Sequence, residues 1–404
     1  MKTASPGQLI WKRFRKNKVA VVGLFLIALA LFVAIFCNLI LPDHTPGTNR
    51  MCLPINNRMP GFEVKMILAR KNFPVEPASW WSRLWNGEKD KDEFIPVDSA
   101  WVEGADVHYQ PYTSGSMVLQ EEIVPLADVV WSVKDVQGIK LCANTISAID
   151  MKGQLQKSTI NELTTQFYQS HYVKRKFWLG TDRYGRDLLS RLLAGTRVTF
   201  VVGLVAVIIS LLVGVFLGGL AGYFRGGVDR FILWLINVVW SVPTLLLVIA
   251  ITLVLGKGFM QVFIAVGLTM WVDVARIVRS QLFAVRELDF VAAGTTMGFK
   301  GSRVLLRHML PNVIGPVLVV AAANFSTAIL LEAGLSFLGI GAQPPTPSWG
   351  CMIKENYGFI ILPDASFLAI LPGVAILLLT LAFTFVANGL RDAMDTKTQL
   401  LSGS

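Results

Sequence analysis

Six apolar stretches, at residues 19–41, 198–222, 231–255, 259–278, 313–338 and 365–389, limit what this chain can fold into more than any other feature. A segment crosses a bilayer with about 20 mostly apolar residues, and a backbone in lipid has to satisfy its own hydrogen bonds, which helices do within one segment. The stretches therefore read as transmembrane helices. Composition agrees: only 16% of the 404 residues are charged, against roughly 25% in ordinary soluble domains, and the mean hydropathy is +0.54.

Details within the spans raise local expectations. Asp273 and Arg276 interrupt the fourth stretch one helical turn apart, which predicts an internal pair. Glu332 falls near the far end of the fifth, where it is expected to be solvated or to meet a partner subunit. Pro243, with Trp240 and Ser241, breaks the third near its middle. A broken helix in lipid is covered by protein or lines a cavity, so Trp240 and Pro243 are candidates to line a path. Asn324, in the middle of the fifth span, either joins them or bonds a neighbouring helix.

Lys2, Lys12, Arg13, Arg15, Lys16 and Lys18 precede the first span. Its apolar run is longer than a signal-peptide core, and "AIFCNLI" offers no small-residue cleavage site, so an uncleaved anchor is expected. With these cations inside, both termini fall in the cytoplasm and the 279–312 loop, carrying Arg279, Arg286, Lys300, Arg303, Arg307 and His308, is cytoplasmic too. Between Asp43 and Arg186 the charges balance, 17 basic against 17 acidic. The net +10 thus lies beside the spans, and no nucleic-acid partner is needed to explain it.

The long polar segment, 42–190, is large enough for a small domain. "ADVVWSVKDVQGIKL" reads as short strands and "STINELTTQFYQSHY" as an amphipathic helix starting at Ser158 or Thr159. Trp80, Trp81, Trp85 and Trp101 are expected to form a small core, with contact to the membrane surface as the alternative. Cys52 and Cys142 are a conceivable disulfide if the segment is extracytoplasmic. No metal spacing, catalytic constellation or phosphate-binding GxxxxGK[ST] loop occurs. Asp182, Arg186 and Asp187 in "LGTDRYGRD" cluster before the second span, where Asp187 and Arg191 are spaced for an i, i+4 pair.

Within the cytoplasmic loop, "ELDFVAAGTTM" runs to Gly298, a helix-ending position. Ser302 then offers a cap for "RVLLRHM", which is expected to stop at Pro311. Leu305 and Met309, and Leu306 and Leu310, are spaced to form an apolar ridge beside Arg303 and Arg307. Periodicity alone allows a helix resting on lipid or one docked in a partner's groove.

The spacing of Ala292-Ala293-Gly294, Gly298 and Leu310-Pro311 resembles the EAA loop of bacterial ABC importer permeases. Ala292 stands at that family's glutamate, Gly294 at its second alanine and His308 at its isoleucine; "RHMLPN" resembles the peptide-permease branch. "WKRFRKNKVAVVGL", "LGTDRYGRDLLSRLLAGTRVTFVVG", "EAGLSFLGIGAQPPTPSWG" and "NGLRDAMD" are similar to the C-type permease subunit of dipeptide/oligopeptide ABC transporters. Together the matching pieces cover essentially everything except 42–175. The resemblance implies an all-α polytopic membrane protein with six transmembrane helices in the ABC importer permease fold. A mixed α/β extracytoplasmic domain is expected between the first and second of these. Its expected parts are a cytoplasmic N-terminus (1–18), first span (19–41), insertion (42–190), permease core (191–395) with a coupling loop (286–312), and cytoplasmic tail (396–404).

It also implies a bacterial inner-membrane location and partners: a second homologous permease, two ATP-binding subunits and an extracytoplasmic solute-binding protein. ATP and Mg would be held by those partners, with no cofactor on this chain. In the coupling loop Gly298 would supply the bend, Leu305, Leu306 and Met309 the buried ridge, and Arg303 and Arg307 the polar rim. Asp182, Arg186 and Asp187 would face the binding protein. A secondary transporter, or a membrane-anchored enzyme with its site in 42–190, are the alternative readings; the first needs internal repeats and coupling-ion sites, and the second lacks catalytic residues.

Overall fold

A computed structural model describes residues 6–113, 120–256 and 258–395; the expected tail at 396–404 lies outside them. The chain forms two compact units. One comprises the described residues of Met1–Ala34, Gly195–Glu355 and Ala369–Ser404, the other Ile35–Ala194 and Asn356–Leu368.

The chain starts with α1 (Pro6–Phe14) and α2 (Lys18–Ile40). Asn17 caps α2, its side-chain oxygen accepting from the Ala20 N–H at 3.1 Å. Small residues on one face of α2 let it approach the last helix closely. A Cβ on Gly389 would come within 2.2 Å of the Ala20 Cβ, so only glycine permits this crossing.

The second unit is built on a five-stranded antiparallel sheet in the order β4-β3-β2-β1-β8. In chain order its elements are β1 (Phe62–Arg70), α3 (Trp80–Asn86), β2 (Asp92–Glu103), β3 (Asp106–Pro111), β4 (Glu122–Pro125) and α4 (Leu126–Val130). The three-stranded sheet β5 (Lys140–Cys142), β6 (Thr145–Ile149) and β7 (Leu155–Thr159) follows, then α5 (Ile160–Gln166) and β8 (Tyr172–Phe177). β8 pairs with β1, from Phe62 opposite Phe177 to Ile67 opposite Tyr172, so the end of the segment returns beside its beginning.

The core of this unit lies between the larger sheet and the two helices that cover it. Leu126, Ala127, Val129 and Val130 of α4 and Leu163 of α5, with Phe167 just after it, bury against Ile67, Val97, Val107 and Tyr109. Each large apolar side chain so buried contributes about 1.5–3 kcal/mol.

α5 begins where the sequence signals it. Thr159 accepts from the Glu162 N–H at 3.3 Å while the Glu162 carboxylate accepts from the Thr159 N–H at 3.1 Å, a reciprocal cap. "ADVVW", expected as a strand, is mostly α4 instead. Four of the five residues of α4 are buried, and a short apolar run enclosed on most sides carries no alternation to tell helix from strand. Cys52 and Cys142 are both free thiols; Cys52 is buried, which pushes its thiol up to about 11, and Cys142 is exposed on β5. Trp80, Trp81 and Trp85 are exposed and form no core, while Trp101 is half-buried and stacks on His108 with ring centroids 5.9 Å apart.

The rest of the helices are α6 (Leu188–Phe224), α7 (Gly226–Trp240), α8 (Thr244–Leu255), α9 (Phe259–Arg286), α10 (Asp289–Thr296), α11 (Gly301–Phe337), α12 (Trp349–Asn356) and α13 (Phe367–Met394). Among the described residues α2, α6, α9, α11 and α13 are individually long and apolar enough to cross a membrane. α7 and α8 pass only as a pair, bent by 93° at the break before Thr244. Pro243 stands at that corner, where its missing N–H and fixed φ end one helix and start another. α9 is the central packing helix of the unit: Val262, Phe263, Ala265, Val266 and Met270 bury against Val202 and Ala206 of α6, Val248 of α8, and Ala328 and Leu335 of α11.

Candidate functional site

The stretch between α9 and α11 stands on a buried apolar base. Val291 of α10 and Val304 and Met309 of α11 are buried together with Val278, Leu282 and Val285 of α9 and Val313 further along α11. α10 therefore shows its other faces outward. Phe290, Ala293 and Met297, spaced by three and four, are exposed, as are Leu288 and Ala292, whereas Val291 and Gly294 point inward. Asp289 in the first turn places a carboxylate at the positive end of α10.

The turn after α10 is closed by backbone geometry. Gly298 has φ +79°, its N–H donates to Thr295 O at 3.0 Å and the Phe299 N–H donates to Gly294 O at 3.1 Å. These two bonds define a Schellman cap, and the left-handed residue is the glycine the sequence predicts. Phe299 then stacks on His308 with ring centroids 5.8 Å apart, and the Arg303 guanidinium lies 4.6 Å from the Phe299 ring centre.

α11 departs from expectation at both ends of "RVLLRHM". Lys300, not Ser302, occupies the N-cap position, with no side-chain cap. Pro311 does not stop the helix. Residues Val304–Met309 form a wide π-type turn in which the Leu310 N–H donates to Leu305 O, five residues back. Pro311 then sits in the first turn of the α-helical segment that follows, where an N–H is not needed. Asn312 Nδ2 donates to the His308 carbonyl at 2.6 Å.

The apolar ridge is likewise redistributed. Met309 is 0% exposed and belongs to the base, while Leu306 is 64% exposed. Leu305, Leu306 and Leu310 front an apolar groove of about 590 Å³ against Leu212, Phe216 and Tyr223 of α6. Arg303, Arg307, Ala292, Ala293, Gly298 and Pro311 are exposed. Sequence reasoning missed the outward set Leu288, Phe290 and Met297; the three-and-four spacing of Phe290, Ala293 and Met297 was its legible signal.

The sites expected elsewhere separate into different roles. Asp182, Arg186 and Asp187, expected to face a binding protein, are buried. The Asp182 carboxylate accepts from Arg186 Nε at 2.7 Å and from the backbone N–H groups of Tyr184 and Arg186 at 2.9 and 3.0 Å, with the Arg191 Nε 3.6 Å away. Arg186 also donates to Asn49 Oδ1 at 3.1 Å. Asp187 caps α6, accepting from the Ser190 N–H at 2.9 Å and from the Ser190 hydroxyl. Burial pushes the Asp187 carboxyl above the ordinary aspartate range, against the lowering effect of those Ser190 bonds. These groups tie the chain together, because a loop rich in backbone N–H groups and two buried guanidinium groups leaves no carboxylate facing outward.

Glu332 is also buried, accepting from the Ser336 and Ser348 hydroxyls, each at 2.7 Å, so it fixes the segment after α11 to that helix. Asn324 Nδ2 donates to Met270 O on α9 at 3.4 Å, which makes it a helix-to-helix bond. Arg276 stacks over the exposed Trp240 ring at 3.6 Å, and Asp273, one turn before it on α9, is exposed. Arg279, a turn further, forks onto Asp229 of α7 at 2.5 and 2.7 Å.

Long apolar helices around a fixed, outward-facing apolar loop define a polytopic helical membrane protein. The model of the family "Binding-protein-dependent transport system inner membrane component" matches residues 214–399, and that of the "N-terminal TM domain of oligopeptide transport permease C" matches residues 5–54. Over 220 residues, 54% of this chain, it is 39% identical to the dipeptide transport system permease protein DppC of Alkalihalophilus pseudofirmus. Over the same length it is 42% identical to the glutathione transport system permease protein GsiD of Salmonella typhimurium and 38% identical to the oligopeptide transport system permease protein OppC of Bacillus subtilis. In each case 72% of the relative is covered. A chain from an inward-facing structure of the MetNI methionine ABC transporter is similar over 50% of this chain and 97% of its own, with 18% identity and a TM-score of 0.40. The chain belongs to the family of inner-membrane permease components of binding-protein-dependent transport systems, in its DppC/OppC branch.

Proposed function

We propose that this chain is one permease subunit of an ABC importer for peptides or similar solutes, and that residues 286–312 transmit the work of partner ATP-binding subunits to its six spans. The observation that carries this is the loop itself: Phe290, Met297 and Leu306 face outward while Val291, Val304 and Met309 root the loop in α9 and α11. A push on the outward face therefore reaches two spans without first deforming the loop. Relatives of this chain are named as permeases for dipeptides, oligopeptides and glutathione.

In this reading both termini and the loop are cytoplasmic, the 42–190 segment is an extracytoplasmic insertion, and a second, homologous permease completes the pathway. An external binding protein delivers the solute. ATP and Mg reside on the ATP-binding subunits. Trp240 and Pro243, exposed at the α7–α8 corner, line the pathway with Arg276; Asn324 serves instead to join α11 to α9.

Affinity purification in mild detergent tests the assignment. The expected result is recovery of two ATP-binding proteins and a homologous permease with this chain. Recovery of the chain alone, with transport driven by an ion gradient, would exclude it in favour of a secondary transporter.

A further inference from the structure

The helix α3 carries a set of side chains that a water-facing surface does not favour. Trp80, Trp81 and Trp85 are 58, 65 and 53% exposed, while Leu84 between them is buried. Trp80 and Trp81 meet edge to face with ring centroids 4.8 Å apart. Three exposed indoles on seven residues present a large apolar area with N–H groups at its margin. That combination suits the boundary between headgroups and acyl chains, where one side of the ring is apolar and the other wet.

The attachment of α3 says which surface it meets. Asn38, two residues before the end of the spanning helix α2, is buried and donates from Nδ2 to the Leu84 carbonyl at 3.1 Å. The Asn38 carbonyl is bonded by His44 Nδ1 at 3.0 Å, and the His44 carbonyl accepts from the Glu88 N–H at 2.8 Å. Gly87, which ends α3 at φ +79°, lies so near that a Cβ there would be 2.5 Å from the His44 oxygen. The helix is thereby held at the last turn of α2, level with the place where the apolar span ends. Ile40, in that same turn, is exposed. Lys89, just beyond α3, supplies an exposed cation suited to lipid phosphates, while the half-buried Arg83 on α3 lies 3.6 Å from the Glu88 carboxylate.

We infer that α3 is an interfacial anchor: Trp80, Trp81 and Trp85 seat the inserted domain on the lipid boundary at the end of the first span. This goes beyond the transport reading and depends only on α2 crossing the membrane.

Spin labels on the full chain in phosphatidylcholine proteoliposomes test it. In a Cys142→Ser background, which removes the exposed native thiol, labels are placed at Trp81→Cys, at Trp80→Cys, and at the exposed Lys152→Cys as an aqueous reference. The expected result is higher oxygen and lower nickel-chelate accessibility at 80 and 81 than at 152, the signature of a shallow lipid position. Accessibilities equal to those at 152 would overturn the anchor by placing the helix in water. Loss of access to both reagents would overturn it in favour of a protein partner covering α3. Co-purification of ATP-binding subunits, measured on the same samples, reports on the transport reading independently.

Discussion

Gly298, Met309 and Asp187 each hold a position for a distinct physical reason, and each yields a different expectation on substitution. At φ +79° with open space around its Cα, Gly298 tolerates added volume but not an L side chain's strain, so Gly298→Ala should lower stability by about 1 kcal/mol. Gly298→Asp adapts better to that φ but places a charge on the outward face. It should abolish transport while the protein still reaches the membrane, and normal uptake by the variant would refute the docking role. Met309→Ala, in contrast, opens a cavity in the base and should cost about 2–5 kcal/mol, read as a fall in melting temperature in detergent.

Asp187 combines a helix cap with a buried carboxylate. Asp187→Ala removes the cap and should cost about 1 kcal/mol, whereas Asp187→Asn keeps a capping oxygen and should be tolerated. Because the folded carboxyl titrates above its ordinary value, the proton is bound more tightly in the native state. The stability it contributes is full below the unfolded value and is lost as pH rises through the raised folded value. Asp187→Asn should flatten the wild-type stability profile across that window. An unchanged pH dependence in the variant would show that other groups govern it.

At the scale of elements, apolar length was legible and the joints between elements were not. Each expected span overlaps an observed helix or the bent α7–α8 pair, because 20 apolar residues in lipid have few alternatives. The extensions were hidden. α6 begins at Leu188 and α9 runs on to Arg286, since polar residues at helix ends do not register as span. Pro243 announced a break, but not the 93° bend that forms at it. Pro311 was misleading: proline ends a helix only where its N–H is required, and the π-type turn ahead of it removes that requirement. The Gly298 cap and the Thr159 cap were readable because both are local. The burial of Arg186 and Glu332 was not, because Arg186 bonds Asn49, 137 positions away, and Glu332 bonds Ser348 beyond the end of its own helix.

The α7–α9 joint gives a prediction at this scale. Arg279 forks onto Asp229 where both side chains are largely shielded. Arg279→Leu strands the carboxylate and should cost about 1.5–3 kcal/mol, with much of the loss recovered in the Arg279→Leu, Asp229→Leu double variant. A double variant as unstable as the sum of its parts would show that the pair does not act as a unit.

At the scale of the whole molecule, the chain is one unit of spanning helices with a fixed loop and one α/β unit whose last strand returns to its first. The family models match residues 5–54 and 214–399, so the proposed transport role rests on the helical part. We propose that the outward face of 288–312 grips an ATP-binding subunit. Substituting Met297→Glu together with Leu306→Glu changes only exposed side chains on that face and leaves Val291, Val304 and Met309 in place. Purified in mild detergent, the double variant should retain the homologous permease and lose the ATP-binding proteins. Recovery of those proteins in the same proportion as with the unmodified chain would show that this face does not hold them.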